Sequence, residues 1–149
     1  MKRRKFLIAL GVMPPLVLSA CKKDPNWPLT GTTITGKVID ENNLPVEGFG
    51  FTFGGTKRIG ITAVDTFFEM GKTNSNGIFS ITASIPQDTG KVDFLVNGFS
   101  FDDKLNRKNS DIDIFFERDG KYIRYNSPVP NPTPIPGEIN TINFQIKKI

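Results

Sequence analysis

Apolar and polar residues alternate in almost every segment after residue 31. The apolar members are Ile34 and Val38; Phe49, Phe51 and Phe53; Phe79, Ile81, Ala83 and Ile85; Val92, Phe94 and Val96; Ile112, Ile114 and Phe116; and Ile142, Phe144 and Ile146. Successive side chains of a β-strand point to opposite faces, so this alternation predicts strands with one buried face. No segment of 32–149 keeps a helical period, and we therefore expect an all-β fold.

Turn signals separate these segments. Asn76-Gly77 precedes the segment around Phe79, and Asp119-Gly120 follows the one around Phe116. Both dipeptides supply the positive φ angles that tight hairpins need. Short strands at this spacing predict an antiparallel β-sandwich of about seven strands or slightly more over 32–149.

Three phenylalanines fall on one face of a single predicted strand, at Phe49, Phe51 and Phe53. Such a row could stack on sugars or bases. It could equally form the inner face of a strand, and a flat exposed aromatic strand would aggregate. We therefore expect these residues in the core.

The N-terminus has a different pattern. Basic residues Lys2–Lys5 precede an apolar run from Phe6 to Leu18, and small residues lead into Cys21, the only cysteine. The run is shorter than the about 20 apolar residues of a membrane-spanning helix. It resembles the signal and lipobox of bacterial lipoproteins. This resemblance implies that residues 1–20 are removed and that the Cys21 thiol carries a diacylglycerol.

The lipoprotein resemblance predicts a cell-envelope location, with the protein anchored to the outer membrane. Arg3-Arg4 also fits a twin-arginine export signal, so the export route stays open between that pathway and general secretion. Residues 21–31 are expected to form a lipidated tether. Lys22-Lys23-Asp24 resembles the stretch after the cysteine in surface-exported lipoproteins of the Bacteroidetes, although a plain spacer fits equally well.

The amino-acid composition excludes several classes of function. Four of the 19 basic residues lie in Lys2–Lys5, which leaves 15 to balance the 15 acidic residues. This neutral remainder lacks the electrostatic footprint of a nucleic-acid binder. The chain has no histidine, which removes Ser-His-Asp catalysis and imidazole-bound zinc. With the lone thiol lipidated, we expect no catalytic residue, no metal and no cofactor.

Three stretches, Thr35–Gly48, Thr73–Ile81 and Val92–Phe99, resemble carboxypeptidase regulatory-like domains. The shared features are a strand, an acidic-Asn turn with Leu-Pro, and a later polar turn ending Gly-x-Phe. The resemblance covers about residues 33–99 and implies a transthyretin-like, seven-stranded sandwich without catalytic residues. The chain departs from that pattern in a longer insert at Thr56–Met70 and in residues 100–137. The latter contain an added hairpin and a proline run before a last strand at 138–147.

Several groups of residues are candidates for chemistry. Oxygen ligands cluster at Asp102, Asp103, Asp111 and Asp113, with Asn106 and Asn109 between them. The spacing does not match a calcium loop, and nearby lysines and arginines oppose a cation, so we expect a solvated loop. Asp65 with Glu69, or Asp113 with Glu117, would be the carboxylate pairs of a glycoside hydrolase. Prolines alternate from Pro128 to Pro136, as a stiff connector or as a docking strip.

The expected function is a lipid-anchored, non-catalytic binding or assembly module, accessory to an outer-membrane uptake or surface complex. Its partners would be the membrane, through the lipid on Cys21, and an envelope protein. The contact surface is expected on the loops 54–72 and 100–137, with Tyr122, Arg124 and Tyr125 as a small contact patch. The alternatives are a carboxylate-based hydrolase of envelope polysaccharide and a passive structural lipoprotein.

Overall fold

Strands make up nearly all of the regular structure. The computed structural model describes residues 31–100, 103–126 and 130–149. Its strands are β1 (Thr32–Ile39), β2 (Gly50–Ile59), β3 (Thr62–Lys72), β4 (Ile78–Ala83), β5 (Lys91–Gly98), β6 (Ile112–Arg118), β7 (Lys121–Arg124), β8 (Ile139–Thr141) and β9 (Phe144–Lys148). Over the same residues there is no α-helix, and a short 3₁₀ turn at Asn109–Asp111 precedes β6.

The strands form two sheets that pack face to face. The larger sheet has the order β4–β1–β9–β6–β7, with β8 also paired to β1, and the smaller has the order β3–β2–β5. The prediction of an all-β sandwich is therefore confirmed. The strand count exceeds seven because the β6–β7 hairpin lies in the added residues 100–137 and because the predicted last strand is divided into β8 and β9.

Phenylalanine rings fill the space between the sheets. Phe49, Phe51 and Phe53 are fully buried, which confirms their expected place in the core. The ring centroid of Phe51 lies 4.1 Å from that of Phe79 in β4 and 5.2 Å from that of Phe144 in β9. Phe51 therefore contacts two strands of the opposite sheet, and this aromatic packing holds the layers together.

The last two strands, β8 and β9, run parallel to β1, whereas a purely antiparallel sandwich was expected. β1 pairs in parallel with β8, where Thr35 lies opposite Thr141, and with β9, where Val38 lies opposite Phe144. The chain reaches β8 at the end of the sandwich where β1 begins, so both strands run the same way. All other pairs between these nine strands are antiparallel.

A kink divides the predicted last strand 138–147. At the kink, the Asn143 side-chain oxygen accepts a hydrogen bond of 3.1 Å from the backbone N–H of Lys37, in place of a backbone carbonyl. A side chain at Gly36 would overlap the backbone carbonyl of Ile142. The close approach of the two backbones at Gly36 lets the segment pair first with β1 alone, as β8, and then with both β1 and β6, as β9.

The two predicted hairpin turns have different roles. Asp119 and Gly120 adopt φ values of 52° and 73°, and they join β6 to β7 as a tight hairpin, as expected. Asn76-Gly77 instead leads from β3 in the smaller sheet to β4 in the larger one. Only Gly77 of that pair has a positive φ, 70°, so the turn carries the chain across the sandwich rather than back along the same sheet.

The segment 54–72 is not a loop, contrary to expectation. It lies almost entirely in β2 and β3, which pair continuously from Gly50–Lys72 to Ile59–Thr62 with a bulge after Gly55. The reason is local: β3 is rich in threonine, valine and phenylalanine, which favour strands. Gly60, with φ of 62°, supplies the first position of a two-residue turn.

Replacing Phe51 by alanine removes a fully buried ring that contacts both sheets. We expect a loss of about 3–5 kcal/mol in the free energy of unfolding, measured by urea denaturation. The matched control is Phe68→Ala, because Phe68 is exposed on β3 and should change stability by about 0.5 kcal/mol or less. Equal effects from the two substitutions would contradict this description of the core.

Replacing Gly36 by alanine places a methyl group on the carbonyl of Ile142. We expect a loss of at least about 1–3 kcal/mol, because the backbones of β1 and the β8–β9 kink must separate. Gly31→Ala is the control, since its nearest heavy atom would lie at an ordinary 3.6 Å. Thermal unfolding curves compare the two, and an unchanged midpoint for Gly36→Ala would refute the tight contact.

Candidate contact surfaces

The predicted patch of Tyr122, Arg124 and Tyr125 does not form one surface. Tyr122 and Arg124 lie on the outer face of the larger sheet, where Arg124 pairs with the carboxylate of Asp113. Tyr125 packs against the core on the other side. Burial raises the pKa of the Tyr125 hydroxyl above its usual range, against the opposing effect of a hydrogen bond with the backbone of Val96. Any contact role of the three residues stays a prediction.

Most polar side chains on the outer face of the larger sheet are paired, and Ile78 and Tyr122 are the exposed apolar residues at its two edges. Besides the Arg124–Asp113 pair, the Nζ of Lys147 lies 4.9 Å from the ring centroid of Phe115. The Nδ2 of Asn143 donates a hydrogen bond of 2.9 Å to the Glu117 carboxylate. Glu117 and burial both raise the pKa of the neighbouring Tyr122 hydroxyl, burial being the larger cause. This face therefore resembles an ordinary solvated surface.

The outer face of the smaller sheet carries three exposed apolar side chains beside the Lys91–Asp93 ion pair. Phe68 and Met70 on β3 and Leu95 on β5 are 58%, 71% and 52% exposed. The strand register places Met70 and Leu95 on either side of Thr52, and Phe68 beside Gly54. We call Phe68, Met70 and Leu95 the apolar strip. Because the residues beneath them on β2 are small, the three side chains stand above the sheet.

The apolar strip was missed by sequence reasoning, although the alternation contains it. Phe67 points inward, where its ring centroid lies 5.0 Å from that of Phe53. Phe68 and Met70 then occupy the opposite face of the same strand. Leu95 likewise lies between Phe94 and Val96, which pack against the core. Expecting a loop at 54–72 hid this pattern.

The β3 edge adds exposed backbone to the apolar strip. β3 is an outer strand of the smaller sheet and pairs only with β2 among the described strands. Near its C-terminal end it contacts β4, because the space above Gly71 is filled by the side chain of Ile81. Its remaining length, from Thr62 to Glu69, is not paired with a third described strand. Unpaired strand edges are templates for strand addition.

A groove of about 630 Å³ opens at the end of the sandwich that carries the loop 99–111. Asp40, Val46, Phe99, Arg107 and Lys148 are among its lining residues. The Arg107 guanidinium carbon lies 4.0 Å from the ring centroid of Phe99. The Asp40 carboxylate accepts hydrogen bonds from the backbone of its own turn, at 2.8 Å and 2.9 Å. Arg107 and Asp40 thus stabilise the surrounding loops, and their charged groups do not point together into the groove.

The predicted oxygen-ligand cluster is built differently from a cation site. Asp102 lies outside the described residues. The Asp103 carboxylate accepts hydrogen bonds of 2.6 Å and 3.1 Å from the Arg107 side chain, and it is mostly buried. The Asn109 side chain accepts from the N–H of Phe99 at 2.7 Å. Among the residues that the structure describes, no group of three or more acidic, cysteine or histidine side chains could hold a metal ion.

The proposed carboxylate pairs are widely spaced on their strands. Asp65 and Glu69 lie four residues apart on β3, and Asp113 and Glu117 lie four apart on β6. Four strand residues separate Cα atoms by about 13 Å, whereas glycosidase carboxyl groups lie about 5–9.5 Å apart. Asp113 is also paired with Arg124. The spacing of about 13 Å is between Cα atoms, so the hydrolase alternative stays a prediction.

The lipidation prediction concerns residues that the structure does not describe, namely the signal 1–20, Cys21 and most of the tether. Pro128 of the proline run also lies outside the described residues. Within the described ranges no helix is long and apolar enough to cross a membrane. No protein-family model matches the chain, and no curated protein matches its sequence. Function must therefore be inferred from the surfaces described above.

Asp103 should make stability depend on acid pH. The Arg107 side chain and backbone N–H groups hold the pKa of Asp103 well below its usual range. Because the folded-state pKa lies below the unfolded value of about 3.9, the stabilisation is complete above about pH 5 and is lost as the pH falls below that value.

Asp103→Asn should therefore be less stable than the parent protein at neutral pH and nearly equal to it in strong acid. The difference is measured by urea denaturation across the acid range. Asp119→Asn, in an exposed turn, should run parallel to the parent curve. A constant difference between Asp103→Asn and the parent at every pH would contradict the assigned role of the carboxylate.

Proposed function

We propose that this protein is a lipid-anchored, non-catalytic envelope module that binds a protein partner through the apolar strip and the adjoining edge of β3. The observation that carries this proposal is the contrast between the two outer faces of the sandwich. The smaller sheet presents Phe68, Met70 and Leu95 together, beside the Lys91–Asp93 ion pair. On the larger sheet the exposed Ile78 and Tyr122 lie apart on the outermost strands β4 and β7, and ion pairs and hydrogen bonds lie between them. Contiguous exposed apolar surface usually marks an interaction site.

The strip and the edge together suit a partner that adds a strand. Main-chain hydrogen bonds along Thr62–Glu69 would give affinity, and Phe68 and Met70 would contact alternate side chains of the partner on one face. The small residues Thr52 and Gly54 leave room beside these side chains. Aromatic residues and methionine are enriched in protein interfaces, which supports a protein partner over a solvated surface.

Anchoring through Cys21 would complete this function. A diacylglycerol on the thiol holds the domain in a thin layer beside the membrane, where partners in the same membrane have a high effective concentration. A modest contact area is then sufficient for a long-lived complex. We place the protein at the outer membrane on the strength of the lipobox-like sequence before Cys21, as an accessory to an uptake or surface complex.

We assign the domain to the carboxypeptidase regulatory-like, transthyretin-like class. Two of the three resembling stretches, Thr35–Gly48 and Thr73–Ile81, meet at one corner of the sandwich, which supports this assignment. The N–H of Val38 donates to the carbonyl of Gly77 at 2.8 Å, and the N–H of Val46 donates to the carbonyl of Val38 at 3.0 Å. The Cβ position of Gly77 faces Pro45. The Leu-Pro turn and the Asn-Gly turn are therefore one interlocked structure, which explains their joint occurrence.

Site-specific photocrosslinking in intact envelopes tests the function. A photoreactive residue at Met70 should crosslink one dominant membrane protein, whereas the same residue at Lys147, on the opposite outer face, should not. Phe68→Ser should weaken the Met70 crosslink about tenfold or more, as expected for a central contact. Because Phe68 is exposed, this substitution should leave the fold intact.

The outcomes separate the candidate functions. Equal crosslinking from Met70 and Lys147, or no dominant product from either, would leave the passive structural lipoprotein as the better description. A Met70 product with twice the mass of the protein would instead identify a second copy as the occupant of the apolar strip. Intact mass measurement of the same preparation reports whether Cys21 carries lipid.

A further inference from the structure

The hairpin of β2 and β3 extends beyond the rest of its sheet. The last residue pair between β2 and β5 is Thr56 with Lys91. β2 and β3 continue through the further pairs Lys57–Val64, Arg58–Ala63 and Ile59–Thr62. These three pairs project about 10 Å past β5 at the usual rise per residue. A two-stranded ribbon of this kind is marginally stable in water unless something covers it.

The tip of this ribbon is apolar. Ile61 is completely exposed, and Ile59 is 59% exposed. The turn geometry requires only Gly60, whose φ is 62°, so nothing in the backbone demands isoleucine at either position. The β6–β7 hairpin places the polar pair Asp119-Gly120 at its turn, which is the usual choice in solvent. The two isoleucines are therefore unexplained by the fold.

The ribbon tip lies at the same end of the sandwich as the start of β1. Thr32 pairs with Ala83 at the end of β4. The next residues, 84–90, lead directly to Lys91, and the N–H of Gly90 donates to the carbonyl of Thr56 at 2.9 Å. β1 therefore begins at the end of the sandwich from which the ribbon projects. Ile139, which pairs beside Thr33 in β1, adds another exposed isoleucine there.

We infer that the ribbon tip, with Ile59 and Ile61, inserts into the surface of the lipid bilayer to which the protein is tethered. This inference rests on the proposed lipidation of Cys21. Nine residues lie between Cys21 and Gly31, which limits the distance between these two to about 35 Å. The end of the sandwich that carries the tip is thus kept next to the membrane, and apolar side chains gain by leaving water for the acyl boundary.

Few unpaired charges lie near the ribbon tip, so its contact with lipid would be mainly apolar. Lys57 pairs with Asp88 at 2.5 Å and is largely neutralised. Arg58 is exposed and adjoins Ile59 in the chain, next to where lipid phosphates would lie. The consequence is a fixed orientation: the tip rests on the membrane and the groove of the loop 99–111 faces away.

Depth-dependent fluorescence quenching tests the contact. The lipidated protein is reconstituted in phosphatidylcholine vesicles containing a spin-labelled phosphatidylcholine, and an environment-sensitive fluorophore is attached at Thr62→Cys. Since the Cys21 thiol is blocked by lipid, the introduced cysteine is the only free thiol. The control carries the fluorophore at Leu105→Cys, which is also exposed and lies at the opposite end of the sandwich. We expect blue-shifted, quenched emission at Thr62→Cys and neither effect at Leu105→Cys.

Adding Ile59→Ser and Ile61→Ser to the Thr62→Cys protein separates the isoleucines from the fluorophore. Quenching should then fall to the level of the Leu105→Cys control. Quenching that persists would overturn the inference, as would equal signals from Thr62→Cys and Leu105→Cys. Quenching at Phe68→Cys without quenching at Thr62→Cys would also overturn it, because the apolar strip would then face the bilayer.

Flotation of the same vesicles distinguishes the two proposals. Protein that floats with the vesicles but shows no quenching at Thr62→Cys keeps the lipid anchor and refutes the contact. Protein that does not float refutes the anchor, and with it the contact that depends on the anchor.

Discussion

The packing of the Phe51 ring between the two sheets is the contact on which the rest of the structure depends. Phe51 lies on the central strand of the smaller sheet and stacks on Phe79 and Phe94, with Phe144 close by. The chain forms no internal disulfide, because it has one cysteine. Apolar burial and aromatic contacts must therefore hold the layers, and all three contacting rings come from strands distant in the chain.

This packing determines which surfaces stay exposed. With the inner face of β2 committed to the core, its outer residues are Thr52 and Gly54, which are too small to cover their neighbours. Phe68, Met70 and Leu95 consequently project into solvent. The same register leaves Thr62–Glu69 of β3 as an unpaired edge and lets the β2–β3 ribbon extend past β5. The proposed protein contact and the proposed lipid contact are thus two consequences of one long hairpin.

Charged and polar side chains on the remaining surface stabilise loops and turns. Asp103 and Arg107 close the loop 99–111, and Arg107 lies over Phe99. Asp40 and Asn74 each accept backbone N–H groups of their own turns. The polar residues of the loop 99–111 and of the two turns therefore stabilise local backbone, and Asp113 on β6 is paired with Arg124.

The amino-acid sequence by itself determined the all-β class, the buried phenylalanines and the Asp119-Gly120 hairpin, since strand alternation and turn preference act between near neighbours. It could not reveal that Asn76-Gly77 crosses between sheets, because the same dipeptide suits both routes. The parallel pairing of β1 with β8 and β9 and the kink opposite Gly36 were decided only by the tertiary structure. Each depends on which distant strand lies alongside, and the side-chain pattern of a single strand carries no information about its neighbour.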